Sequence, residues 1–303
     1  FAYFRAKTPV LPALSFSVLA SSGPPGMCIK SADHRPGTLV LNGGSSFFAK
    51  SSLKNFLLKN GDTTIDAFVA GGHSPEFGSS AIAGIGKLFE IKKVAYPNFH
   101  EEVKSEIPPD FDSMEGFFDA IGEKKILKSA VQGKSWAKKY YDDYKGMRTL
   151  WGSDWTFFSS PSKADLSDNI KIEYLNAVYR ASPLVFKLFI GDKTFLILPA
   201  PDSAKKIKPE ELKCDILILG SPTRSNYKYY IKPLSSILSA ASPKTVILCV
   251  EDNFTTPQVD SAVEKISSLC AEKSEQFFRT DQSGALTFPV SDGKIGEPKK
   301  YIH

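Results

Sequence analysis

The chain has 303 residues, 42% of them hydrophobic and 23% charged, with a formal net charge of +5. That length buries a substantial core, and the composition excludes a disordered tail. No apolar run reaches the ~18 residues needed to span a bilayer, and no leader pattern opens the chain, so a soluble domain is expected. It begins at Phe1 rather than Met, as expected of a segment excised from a longer protein. Cys28, Cys214, Cys249 and Cys270 are too few and too scattered for a disulfide framework or a paired-cysteine metal site. Cys249 sits in the apolar run TVILCV, and buried free thiols are the expectation.

Ala13 to Leu19, Gly26 to Lys30 and Thr38 to Leu41 read as three short strands separated by turn-forming residues, an antiparallel opening. Ser51 to Lys59 places Leu53, Phe56 and Leu57 at helical spacing, with Gly61 as a stop. A strand at Ile65 to Ala70, a loop of small residues, a helix from about Ser79 to Phe89 and a strand at Lys93 to Tyr96 follow. Between Phe99 and Leu166 the pattern changes to a segment expected to be an inserted, divergent and largely helical one. Within it Trp151 to Phe158 resembles a strand, and Ser159 to Asp168 reads as a polar linker.

Leu184 to Ile190 and Thr194 to Leu198 form a predicted hairpin around Gly191 and Asp192. Strand and helix then alternate: Asp215 to Leu219, Tyr229 to Leu238, Thr245 to Val250, Gln258 to Ala271. Strand pairs opening each half and αβ alternation closing it predict two similar halves packed together, without a sequence repeat that shows it.

The stretch Ile65 to Ala81, IDAFVAGGHSPEFGSSA, has the shape of a ligand site, because α/β proteins bind ligands where a strand ends in a loop that leads into a helix. Its contents are sparse: one His and one Glu. No G-x-S-x-G elbow and no phosphate-binding loop occurs anywhere in the chain.

That stretch resembles the metallo-β-lactamase superfamily, whose T-H-x-H-x-D-H-x-x-G signature follows such a strand. More narrowly, the chain is similar to the metallo-β-lactamase-like domain of the ComEC family of bacterial DNA-uptake channels. TLVLNGG (Thr38 to Gly44), CDILILGSP (Cys214 to Pro222), TVILCVEDNFTTPQVDSAVEKI and the closing RTDQSGALTF (Arg279 to Phe288, a hairpin in that pattern) carry the resemblance by order and spacing. The implied fold is a four-layer αββα sandwich, one domain over residues 1–303, with an N-terminal extension over 1–12 and the insert at about 99–166.

The departures fall on the chemistry. Aligned without gaps, the family's metal-binding positions land on Gly72, Ser74, Glu76 and Phe77, then on Ser221 with Pro222, and on Thr256; His73 falls on a spacer. Zinc hydrolysis needs converging imidazole and carboxylate ligands that lower the pKa of bound water to ~7, and glycine and phenylalanine side chains supply neither. A metal-free, non-catalytic member of the fold without cofactors is therefore expected. The enzymatic alternative is a residual hydrolase, a nuclease or peptidase, that uses Glu76 and Asp202 as a carboxylate pair.

Charge supplies the functional expectation. Lys124, Lys125, Lys128, Lys134, Lys138, Lys139, Lys145 and Arg148 are interleaved with Trp136, Tyr140, Tyr141 and Tyr144, and a second cluster holds Arg224, Tyr227, Lys228, Tyr229, Tyr230 and Lys232. Lysine neutralises phosphate and aromatics stack on bases. The bland alternative is a solvated helix face above an apolar stripe. With the resemblance, the expected partner is DNA, bound without sequence preference. The expected place is outside the cytoplasm, beside the domain's own membrane channel, and docking onto that channel or another protein is the structural alternative.

Overall fold

The computed structural model describes residues 14–20, 25–31, 37–43, 47–69, 85–97, 155–158, 163–167, 170–175, 185–223, 227–250 and 256–301. In the first half, β1 (Leu14–Leu19), β2 (Gly26–Ser31) and β3 (Thr38–Leu41) run antiparallel. Helix α1 (Phe47–Lys59) and the short β4 (Thr64–Ile65) lead to β5 (Ala67–Val69). Past β6 (Glu90–Ile91) come β7 (Val94–Pro97) and β8 (Trp155–Phe158), and β3, β5, β7 and β8 are mutually parallel neighbours. The two-residue strands β4 and β6 pair apart from the main sheets.

The second half repeats this plan. Strands β9 (Lys163–Ser167), β10 (Ile170–Tyr174), β11 (Phe186–Ile190) and β12 (Lys193–Leu198) form an antiparallel run. Parallel to β12 lie β13 (Ile216–Gly220), β14 (Thr245–Cys249) and β15 (Gln276–Arg279), joined through α2 (Tyr227–Ala241) and α3 (Pro257–Lys273). The chain then returns to the first sheet as β16 (Ala285–Ser291) against β1, flanked by β17 (Lys294–Ile295) and β18 (Lys299–Tyr301). Each sheet is an antiparallel run continued by parallel strands, so the two expected halves are present as architecture.

Alternation along the strands explains the layering. Phe195 and Ile197 of β12, Ile216 and Ile218 of β13, and Ile247 and Cys249 of β14 join the core shared with the first sheet. Their neighbours Leu196, Leu198, Leu217, Leu219, Val246 and Leu248 face α2 and α3 instead. Phe16 of β1 bridges the sheets, its ring 4.7 Å from Phe195 and 6.3 Å from Phe288. The helices present matching stripes: Leu53, Phe56 and Leu57 on α1; Tyr230, Leu234, Ile237, Leu238 and Ala241 on α2; Val259, Ala262, Val263, Ile266 and Cys270 on α3. The result is helix, sheet, sheet, helix, the expected αββα sandwich.

Several sequence expectations need correction. Ile65 to Ala70 is not one strand: Asp66 interrupts it, accepting from Thr38 N and from Lys92 Nζ at 2.8 Å. The described end of the predicted helix to Phe89 is a turn, 86–88. Residues 163–167, assigned to a linker, are the edge strand β9, a mostly polar and small stretch (KADLS) with a single large apolar residue, Leu166. β8 and β9 therefore belong to the two sheets although both fall within the span assigned to the insert; 98–154 lies outside the described residues. Arg279 to Phe288 is not a hairpin either, because β15 and β16 sit in different sheets. A helical turn, Thr280–Ser283, carries the chain across, and Gly284 at φ 67° completes the bend.

Candidate functional site

The sandwich has two distinguishable ends, and pairing register tells which is which. Leu14 opposes Val290 while Val18 opposes Leu286, and Met27 opposes Leu41. The tip of the β11–β12 hairpin meets the tip of the β16–β17 hairpin: a Cβ on Gly191 would lie 2.3 Å from the Gly293 carbonyl oxygen, and Asp192 Oδ1 accepts from Ile295 N at 3.1 Å. The start of β12 thus lies by the start of β1, and the carboxyl ends of β3, β5, β12, β13 and β14 gather at the opposite end. Open α/β sheets bind ligands outside such carboxyl ends.

Asn42, just past β3, is 1% exposed with φ 53°, and its N–H donates to the Val69 carbonyl at 2.8 Å. Its buried Oδ1 has no hydrogen-bond partner among the described residues. Sequence reasoning read TLVLNGG as a strand end and passed over Asn42 as a site residue; a polar residue entering a glycine pair was the available signal. Ser221 and Pro222 follow β13 and are buried. Thr256 stands at the N-cap of α3 with Pro257 after it; its Oγ1 accepts from Val259 N at 3.4 Å. Thr280, also missed, is 1% exposed, and its Oγ1 both accepts from Val250 N and donates to the Val250 carbonyl, each at 2.8 Å.

Gly72, His73, Ser74, Glu76 and Phe77 lie outside the described residues, as do Lys124, Lys125, Lys128, Lys134, Trp136, Lys138, Lys139, Tyr140, Arg148 and Arg224. Asp202 is described: it is exposed on the turn Pro201–Ala204 and borders a pocket of about 260 Å³ with Lys205, Tyr229 and Tyr230. Tyr229 and Tyr230 belong to α2, so Asp202 adjoins the outer helix layer.

The remaining motif residues carry structure. Arg279 fixes the crossover, its guanidinium holding both oxygens of Asp281 (3.1 and 2.6 Å) and Glu264 Oε1 at 2.6 Å. The hydrogen bond to Asp281 outweighs burial and pushes the Arg279 pKa further up. All four cysteines are free; burial raises the Cys28 and Cys249 thiols well above the usual range and pushes Cys214 and Cys270 up to about 12. Thiolate is the nucleophile and metal ligand, so none of these is poised for such chemistry.

Helix α2 starts shortly after the carboxyl end of β13, which places its first turns on the rim. Lys228 and Lys232 are exposed one helical turn apart, and the Lys228 Nζ lies 5.9 Å from the Tyr227 ring centroid. Tyr227 is partly buried against the outer core, and Tyr230 is fully part of it, its hydroxyl donating to the Gly220 carbonyl. The expected cluster therefore divides: Lys228, Tyr229 and Lys232 face solvent, and Tyr230 is a core residue.

The architecture is similar to solved structures. The metallo-beta-lactamase fold protein YhfI from Bacillus subtilis superposes with a TM-score of 0.51 at 9% identity, covering 94% of this chain and 99% of that one. Igni18, described as a novel metallo hydrolase from the hyperthermophilic archaeon Ignicoccus hospitalis KIN4/I, superposes with a TM-score of 0.50 at 9% identity, covering 91% and 100%. No protein-family model and no curated protein sequence matches the chain. The chain has the metallo-β-lactamase fold.

Such a scaffold implies a metal centre, and the described residues at the expected positions do not fit one. Thr256 uses its hydroxyl oxygen to cap a helix, Pro222 has no donor, and Ser221 offers only a buried hydroxyl. Among the described residues no three His, Cys, Asp or Glu side chains come together to hold a metal ion.

Proposed function

We propose that this is a non-catalytic metallo-β-lactamase-fold domain that binds DNA without sequence preference and serves DNA uptake outside the cytoplasm, next to a membrane channel. The observation that supports the proposal is a metallo-β-lactamase fold in which the described residues at the expected ligand positions have structural duties. Thr256 caps α3, and the buried Ser221 and Pro222 close the end of β13. Without metal ligands the frame still offers a rim at the strand ends, and α2 sets Lys228 and Lys232 on it. Ammonium groups in that position neutralise phosphates whatever the base sequence, so binding weakens steeply with salt. The link to uptake rests on the resemblance of the segments quoted above to ComEC-type domains.

The test combines two measurements on the purified chain. Metal analysis of protein prepared without chelator is expected to find less than stoichiometric zinc and manganese, and plasmid incubated with it stays intact with or without EDTA. A mobility-shift titration is expected to show binding at micromolar protein in low salt that is lost at moderate salt. Stoichiometric metal with EDTA-sensitive cleavage overturns the non-catalytic reading, and no shift in low salt overturns the DNA-binding one.

A further inference from the structure

We propose that the cleft between α2 and the Pro201–Ala204 turn receives one unpaired base of a single-stranded nucleic acid, stacked on Tyr229, with Lys205, Lys228 and Lys232 on the flanking phosphates. The inference rests on the nucleic-acid reading above and adds a place, a strandedness and a base preference. It needs neither the old ligand positions nor a metal.

Tyr229 is 69% exposed, the most exposed large hydrophobic side chain among the described residues. It stands on the first turn of α2, while Tyr230 beside it is 2% exposed and tied by its hydroxyl to the Gly220 carbonyl. One ring is therefore offered to solvent and the next is a fixed floor. The pocket that Tyr229 and Tyr230 border with Asp202 and Lys205 holds about 260 Å³, the space of roughly eight or nine waters at ~30 Å³ each. That space admits one base.

Charge complements the shape. Lys232 is three residues from Tyr229 and four from Lys228, spacings that set neighbours on a helix surface, and Lys205 lies at the pocket itself. Asp202 is the one acid on the lip among the described residues. A carboxylate repels phosphate but accepts from an exocyclic amino group such as cytosine N4, so it selects the base edge and leaves the backbone to the lysines. A duplex buries base faces in its own stack, so stacking on Tyr229 is open only to an unpaired base. Base-on-aromatic stacking is worth ~1–3 kcal/mol per base.

Fluorescence-anisotropy titrations of labelled oligodeoxycytidine, oligodeoxythymidine and a duplex of equal length, in a salt series, test this on the full chain. Tyr229→Ala is expected to weaken single-strand binding by about 5- to 160-fold and duplex binding by less than about 2-fold, while Tyr229→Phe retains wild-type affinity. Lys228→Ala and Lys232→Ala each reduce the salt slope for the single strand by about 0.7. Asp202→Ala removes a preference for cytidine over thymidine. Unchanged melting temperatures confirm that the variants fold. Wild-type binding that Tyr229→Ala leaves intact, or weakens equally for single strand and duplex, overturns this inference alone. Absence of binding to all three probes overturns it together with the DNA-binding reading.

Discussion

At the scale of single residues, threonine hydroxyls hold the chain at a strand end and at a helix start by hydrogen bonds to the backbone. Thr280 is the clearest case. Its one hydroxyl satisfies both the N–H and the carbonyl of Val250, just past β14. Thr280→Val keeps the shape and leaves two buried backbone groups unpaired, each worth ~1–3 kcal/mol. Urea denaturation is expected to show a loss of about 2–6 kcal/mol for Thr280→Val and a small change for Thr280→Ser; equal stability of the two variants would show that the hydroxyl does not hold the crossover. Residues of this kind are poorly legible in sequence, because a buried threonine and a surface threonine look alike until their backbone partners are known. The side-chain chemistry of Ser221, Pro222 and Thr256 was legible, since donor chemistry does not depend on surroundings; the capping role of Thr256 was not.

At the scale of elements, the strongly patterned pieces were readable and the weakly patterned ones were not. α2, α3, β12, β13 and β14 carry full apolar stripes or runs, which local sequence specifies. β9 was not legible because it is a short edge strand with one large apolar residue, Leu166, paired to β10 alone among the described strands. The bend at Asp66 comes from its bonds to Thr38 and Lys92, 28 and 26 residues away, beyond any local window.

The paired hairpins at the amino end are another long-range contact, and Gly191 is its critical residue. Its φ of 57° and the 2.3 Å approach of the Gly293 carbonyl to an added Cβ both oppose a side chain. Gly191→Ala is expected to lose about 2–5 kcal/mol, the sum of ~1–2 for a left-handed Cβ and ~1–3 for overpacking. Thermal unfolding measures it, and a melting temperature within a degree of wild type would refute the hairpin contact.

At the scale of the whole molecule, burial of the thiols makes stability depend on pH. In the unfolded chain they ionise near their ordinary value of ~8.5, whereas Cys214 and Cys270 keep their protons up to about 12 and Cys28 and Cys249 beyond the usual range. The unfolded state therefore binds fewer protons above pH ~9. The contribution is fully present below that pH and is lost as pH rises toward the folded values, by up to ~1.4 kcal/mol per thiol per pH unit. Denaturant midpoints should fall steadily above pH ~9, and less steeply in Cys249→Ala. A flat alkaline profile would contradict thiols that stay buried and protonated.

The order of most elements was legible in the sequence alone, because apolar periodicity is a property of the residues themselves, and the fold class was legible through the resemblance of its quoted segments. Only the tertiary structure decided that the last motif crosses between sheets and that Tyr230 is core while Tyr229 beside it is surface. It alone brought Asp202 and Lys205 to the tyrosines of α2. Adjacent residues on a helix point about 100° apart, so exposure and neighbourhood are set by what packs against each face.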